Sequence, residues 1–356
     1  MRFPIRATAA ILAGALTALT PSAVVAAPGA VAAAPGEVQV ACIVNDDRVG
    51  ELSGLLVTPT GYIAINDSNW DPSAIRIFYL DKKCKFTKSV RYPTTARDPE
   101  DVALAADGTL WVADVGDNYN AQVRRKTIAV WKLAPGAKSP VIYRLAYPDG
   151  PHDAEALLLA PDGTPILVTK ELSGRSEIFV PSGPLVAKSA EGVALKRVGS
   201  VRLPDSQTPN FLEGIGRRLV TGGAVSPDGR HVVLRTYADA FEWDVADGDV
   251  VAALTEGEPR ATPLPDEQQG EAIAYTPDGE AFVTACDEPA GPTTLRRYVP
   301  AARPSPSPSA SAAAGSDLLA GDSPGTPNRL LFAVGLTGLV LVVVGLVGVG
   351  LRRALR

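Results

Sequence analysis

Apolar and polar residues alternate in short runs along most of this chain, and the runs come in pairs separated by a tight turn. Three of the turns read Pro161-Asp162-Gly163, Pro227-Asp228-Gly229 and Pro277-Asp278-Gly279; Asp107-Gly108 is a fourth and Thr60-Gly61 a degenerate fifth. Proline sets φ at one corner and glycine accepts a positive φ at the next, so each turn joins two antiparallel strands. Strand pairs recurring about every 50 residues predict an all-β chain folded as a β-propeller, with one four-stranded blade per repeat.

The alternation places the strands. Blade one takes Leu52–Thr58, Tyr62–Asp67, Ala74–Asp81 and Lys85–Tyr92, and blade two Asp101–Ala106, Leu110–Asp114, Thr127–Leu133 and Val141–Tyr147. Blade three takes Ala156–Leu159, Ile166–Lys170, Ser176–Pro181 and Ala194–Leu203. Blade four starts near Val220, continues through His231–Tyr237 and Phe241–Val245, and ends around Val250–Leu254. Blade five has only Ala272–Tyr275, Ala281–Ala285 and Thr294–Val299, while Val38–Val44 alternates with no partner of its own. Placing Val38–Val44 as the outer strand of blade five closes the ring and removes an open edge. Five blades is the expected count; a sixth would have to be built from Leu203–Leu219.

The ends of the chain carry a different pattern. Residues 1–32 have Arg2 and Arg6, an apolar run from Ala9 to Leu19, and Ala30-Val31-Ala32 as a cleavage box, the layout of a secretory signal. Residues 330–351 carry no charge; as a helix they would run about 33 Å, enough to cross a bilayer core. Arg352, Arg353 and Arg356 follow, which puts the tail 352–356 in the cytoplasm. Residues 300–329 hold Pro304-Ser305-Pro306-Ser307-Pro308 and little that could be buried, so they read as a stalk. Leu319-Ala320-Gly321-Asp322-Ser323 lacks the Thr-Gly pair of a sortase signal. The expected layout is therefore a single-pass surface protein whose ectodomain spans 37–299.

Charge and cysteines fit an exported domain. Setting aside Arg2, Arg6, Arg329, Arg352, Arg353 and Arg356 leaves 28 of the 34 basic residues against 39 acidic ones, a net of about −11. So acidic a domain is a poor nucleic-acid binder, because phosphate contacts require positive surface. Of the three cysteines, Cys42 in the closing strand and Cys84 at the outer strand of blade one are the expected disulfide, leaving Cys286 as a thiol.

Aligning the repeats on their turn glycines points to one end of the channel. Eight residues before the glycine stand Glu100, Glu155, Thr221 and Glu271, and Glu51 is assigned the same role in blade one. Six or seven residues after it stand Asp67, Asp114, Lys170, Arg235 and Cys286. Antiparallel pairing brings both sets to one mouth, where Asp98, Asp101, Asp117, Asn118, Asp153, Glu171, Asp287 and Glu288 flank them. Carboxylates so crowded need cations, donors or raised pKa values. Two arrangements are open. In one, Lys170 and Arg235 are locked onto Glu155 or Glu271, and the ring is a clasp between blades. In the other, calcium, which prefers oxygen-only sites, is held by Glu51, Glu100, Glu155, Glu271 and Asp114, with Asp117 and Asn118 in the adjoining loop.

Other chemistry is sparse. His152 and His231 fall in different blades, which argues against a zinc site. No nucleophile elbow, P-loop or dinucleotide fingerprint is present. Trp111, Trp131 and Trp243 are expected to pack between blades, and Trp70 lies in a polar loop beside Asp67.

Several segments resemble a set of secreted bacterial propellers common in actinobacteria. They are Cys42-Ile43, Arg48–Leu55, Asn66-Asp67-Ser68, Arg97–Ala103, Ala113–Asn118, Thr221–Gly229, Arg235-Thr236-Tyr237 and Gln269–Ala274. More distantly the chain is similar to phytase-like and lactonase-like propellers, some of which hold calcium in the channel and hydrolyse phosphate or lactone esters. That resemblance implies a fold; it transfers no catalytic residue. The expected function is a monomeric, surface-displayed binding or scaffold module for an extracellular ligand or protein, with calcium-assisted ester or phosphate hydrolysis as the alternative.

Overall fold

Twenty strands account for nearly half of the chain that the computed structural model describes, namely residues 38–67, 71–265, 267–286 and 292–302. All of these lie within one compact unit, Met1–Pro304. The signal segment, most of the stalk, the 330–351 span and the tail lie outside the described residues, as do Trp70, Asp287 and Glu288. Among the described residues no helix is long and apolar enough to cross a membrane.

The strands form antiparallel meanders. The closing strand β1 (Val38–Val44) is followed by β2 (Leu52–Thr58), β3 (Gly61–Asn66), β4 (Arg76–Asp81) and β5 (Phe86–Arg91), which make one sheet in that order. β6 (Pro99–Leu104), β7 (Leu110–Asp114), β8 (Ile128–Leu133) and β9 (Val141–Ala146) make the next meander, and β10 (Ala154–Leu159), β11 (Pro165–Thr169), β12 (Arg175–Pro181) and β13 (Val193–Arg202) the one after. These two meanders merge into an eight-stranded sheet. The ten-residue β13 reaches its neighbour, and Val193 and Ala194 pair in parallel with Leu145 and Ala146 of β9. β14 (Gly222–Val225), β15 (His231–Arg235), β16 (Asp239–Asp244) and β17 (Arg260–Pro263) form another sheet. β18 (Gly270–Tyr275), β19 (Phe282–Cys286) and β20 (Thr293–Tyr298) form the last, with β1 as its outer strand. The closing strand thus sits where the alternation placed it, pairing Val38 with Tyr298 and Val44 with Thr293.

Apolar side chains between successive meanders hold the ring together. Ile65 and Ile77 pack against Val112 and Trp131; Trp111 and Val130 against Leu157 and Phe179; Leu158 and Ile178 against Val232, Phe241 and Trp243. Val233 and Ala240 meet Ile273 and Phe282, and Leu55 and Phe78 meet Ala272, Val283 and Leu295, which joins last to first. Each fully buried leucine, isoleucine or phenylalanine in these contacts contributes roughly 1.5–3 kcal/mol. The three described tryptophans are all core residues. Cys42 and Cys84 form the expected disulfide across the closing strand, with 5.8 Å between their Cα atoms, and Cys286 is buried outside any disulfide.

Two segments differ from the sequence reading. Val250–Leu254, expected as an outer strand, lies in a helix, α2 (Val250–Glu256). Asp249 caps it by accepting from the Ala252 N–H, and Val250, Ala253 and Leu254 bury one helical face. The outer strand there is β17. The segment Leu203–Leu219 contains no strand, only a four-residue helix, α1 (Glu213–Gly216).

The inner strands β2, β6, β10, β14 and β18 touch one another in turn and line a channel. At its turn end, Val57, Leu104, Leu159, Val225 and Tyr275 border a cavity of about 410 Å³. The opposite mouth is where the acidic residues gather.

Candidate functional site

Four inner strands deliver their key side chain by the same local device. Their pairing with the second strand slips past one residue each, at Ser53, Glu100, Glu155 and Glu271. A residue skipped by the ladder is free to turn its side chain away from the sheet, and bulges are used in this way beside functional sites. The register corrects one assignment. The blade-one equivalent of the glutamates is Ser53, eight residues before Gly61, and not Glu51. Glu51 precedes the strand in a left-handed conformation (φ 52°), and its carbonyl accepts the Asp67 N–H at 2.9 Å. In the blade without a bulge, Gly222 sits so close to the Glu271 carbonyl that a side chain would collide with it.

Part of the mouth is a clasp. Ser53 Oγ lies 2.8 Å from the Glu100 carbonyl oxygen and 2.9 Å from its Oε2, tying the first two inner strands. Asp101 accepts from the Val102 N–H and, across the gap, from the Leu157 N–H at 2.8 Å. Thr221 Oγ1 donates to the Gly270 carbonyl at 2.8 Å. Arg235, completely buried, pairs with Glu267 at 3.0 Å and donates to the carbonyls of Ala272 and Thr236. The partner of Arg235 is thus Glu267, rather than Glu155 or Glu271. A side chain at Gly270 would run into the guanidinium.

Asp114 and Asp117 also act within the protein. Asp114 pairs with Arg125 at 2.9 Å, accepts from Trp131 Nε1 at 3.1 Å, and accepts from the Arg97 and Asp98 amides. With so many donors it has no oxygen left for the calcium shell assigned to it from the sequence. Asp117 holds Arg124 Nε and the Arg125 amide, which fixes the loop after β7 and leaves Asn118 exposed.

The remaining acids crowd one another. Oxygens of Asp67, Asp98 and Glu100 lie within 4.8 Å of one another. Asp98 Oδ1 is buried with no hydrogen-bond partner among the described residues. Burial, then repulsion from Asp67, pushes the Asp98 carboxyl up to about 8. Burial, then the charges of Glu155, Asp67, Asp98 and Glu271, drives Glu100 far above the usual carboxylate range. The backbone leaves them a cradle: a Cβ at Gly116 would clash with Glu100 Oε1 and fall 2.6 Å from Asp98 Oδ2. On the far side, Lys170 Nζ meets Glu155 Oε1 at 2.7 Å and lies 5.3 Å from the Tyr237 ring centre. Burial raises Glu155 to about 7 even though Lys170 opposes the shift. Glu267 and the role of Asp98 escaped the repeat alignment because both lie in loops before an inner strand, outside the positions that recur.

A hard divalent cation fits the Asp67, Asp98 and Glu100 oxygens: all three donors are carboxylates, one oxygen is orphaned, and a glycine keeps the space open. The bottom-up partition of the mouth is therefore a clasp (Ser53, Asp101, Asp114, Thr221, Arg235) and an acidic cup (Asp67, Asp98, Glu100).

No family model and no curated protein sequence matches the chain. Among solved structures it is similar to a gluconolactonase from Xanthomonas campestris, with 16% identity over 70% of this chain and 72% of that one, TM-score 0.38. It is also similar to a streptogramin B lyase, with 13% identity over 73% and 96% of the two chains, TM-score 0.39. A third is the PQQ-bound aldose sugar dehydrogenase of Streptomyces coelicolor, with 11% identity over 74% and 98%, TM-score 0.39. At such values the likeness concerns the fold and carries nothing about the site.

Proposed function

We propose that the chain is a five-bladed propeller displayed at a cell surface, and that its acidic cup binds calcium and, through it, an extracellular ligand. The observation behind this reading is the convergence of Asp67, Asp98 and Glu100, with Asp98 Oδ1 buried and without a hydrogen-bond partner among the described residues. Three carboxyls at that spacing, Glu100 buried and the other two half-buried, are stabilised either by keeping protons or by sharing a cation. Bound there, calcium would supply a positive centre with coordination positions to spare for an oxygen of the ligand. Surface display rests on the signal, stalk and apolar span of the sequence; protease added to intact cells should then release a fragment close to residues 37–299.

Calorimetric titration of chelator-stripped protein with calcium tests the site. One ion per chain is expected, with the heat lost in Asp67→Asn and Asp98→Asn. A titration that is flat in the wild type, or unchanged in both variants, would remove the cation from the proposal.

Hydrolysis is the second reading, and Glu155 favours it. A carboxyl held near 7 beside a lysine is in the range suited to general acid–base work. Calcium-dependent turnover of phosphate or lactone esters that disappears in Glu155→Gln, while calcium binding persists, would select this reading over simple binding.

A further inference from the structure

A second acidic group lies away from the channel cup, around the histidine between β9 and β10. Ligand atoms of Asp149, His152 and Glu177 lie within 4.8 Å of one another. His152 Nε2 is 2.9 Å from Asp149 Oδ1, and its Nδ1 faces Glu171 Oε1 at 3.5 Å and Glu177 Oε2 at 4.0 Å.

The ring is held from both sides. Tyr147 and Phe179 lie 4.8 and 5.0 Å from it, centre to centre. Arg197 binds the other oxygen of Glu177 at 2.6 Å, which turns Oε2 toward the imidazole. Arg124, which borders the adjoining cavity together with Arg125 and Lys126, is held by Asp117 and the Pro151 carbonyl.

When a histidine donates one ring N–H to a carboxylate, the other nitrogen is a lone-pair acceptor. In the tautomer protonated at Nε2, that N–H donates to Asp149 and Nδ1 presents a lone pair to two carboxylate oxygens. In that tautomer Nδ1 and the two carboxylate oxygens face one another as acceptors. Two ligands at the usual zinc distances are about 3.3 Å apart across a tetrahedral angle, close to the Nδ1–Glu171 separation. A carboxylate on the far nitrogen is also the arrangement that orients metal-binding histidines. Beside the ring, Arg124, Tyr147, Gly150 and Pro151 border a cavity of about 360 Å³, with room for water to complete a coordination shell.

We propose that His152, Glu171 and Glu177 form a binding site for a borderline divalent metal ion, zinc, with Asp149 as the positioning residue. The nitrogen donor separates this site from the cup, since calcium takes oxygen ligands and zinc accepts imidazole readily. The competing occupant is a proton, which would leave an imidazolium held by the same carboxylates and no metal site at all.

Titration of the full chain with zinc chloride in excess calcium decides between them. One zinc per chain is expected, and cobalt(II) substituted for zinc should give visible d–d absorption from the same site. His152→Gln and Glu177→Gln should abolish the binding, Asp149→Asn should weaken it roughly tenfold, and Asp98→Asn in the cup should leave it unchanged. Should His152→Gln fail to fold, Glu171→Gln, at the more exposed edge of the site, carries the same expectation of lost affinity. Zinc affinity that is absent, or equal in the wild type, Glu171→Gln and Glu177→Gln, overturns the proposal and leaves the proton as occupant. Loss of zinc binding in Asp98→Asn would overturn it as well, by placing the metal in the cup.

Discussion

Ser53 Oγ sits 2.8 Å from the carbonyl oxygen of Glu100 and 2.9 Å from its Oε2, so one hydroxyl ties both the backbone and the side chain of the neighbouring inner strand. Both residues are buried and both are the bulged residue of their strand. Ser53→Ala leaves a buried carboxyl short of its donor. The expected cost is about 1–3 kcal/mol, read from the shift in urea midpoint at unchanged slope.

Arg235 and Glu267 are completely buried against each other. Removing one partner strands a charge, and Arg235→Met or Glu267→Gln should each cost about 3–5 kcal/mol. The double variant Arg235→Met/Glu267→Gln should lose less than the sum of the two, because no unpaired charge remains. Strict additivity in urea unfolding would mean the pair does not act as a unit.

The cup predicts how stability varies with pH in protein stripped of divalent ions. Asp98 keeps its proton to about 8 and Glu155 to about 7, in each case through burial first. The unfolded chain releases both near pH 4. Between those limits the native state binds more protons than the unfolded state, so stability falls as pH rises. Melting temperatures should decline from pH 5.5 to 8.5, and Asp98→Asn, which cannot ionise, should flatten the decline. A melting temperature that climbs across this window contradicts the assignment.

Gly116 gives a steric version of the same test. Alanine there would push against Glu100 and Asp98, so Gly116→Ala should weaken calcium binding while Gly183→Ala, whose Cβ meets nothing, should leave binding unchanged. Calcium titration of the two variants separates a filled cradle from a general effect of losing a glycine.

How much of this was legible in the sequence depends on what carried the signal. The Asp-Gly turns, the period-2 alternation and the orphan segment Val38–Val44 are local features. They sufficed to place the meanders, the closing strand and the Cys42–Cys84 bridge. Where one residue decides, the sequence misled: Glu51 looked like another ring glutamate, but a bulge shifts the register so that Ser53 holds the place. Val250–Leu254 is a short apolar run that suits a buried strand as well as a helix, and the Asp249 cap at the start of the helix is a single side chain. Glu267 recurs in no other repeat, so alignment had no means of pairing it with Arg235. The ring of glutamates was visible, but its division into a clasp and a crowded acidic cup depends on distances.

The most direct test of the cup is the melting temperature with and without divalent ions at low salt. An ion bound only by the folded state stabilises it by mass action, about 2.7 kcal/mol at one hundred times its dissociation constant. Chelation should therefore lower the melting temperature of the wild type, excess calcium should restore it, and Asp98→Asn and Glu100→Gln should no longer respond. A wild-type melting temperature that chelator and calcium both leave unchanged would contradict cation binding and make the whole mouth a clasp.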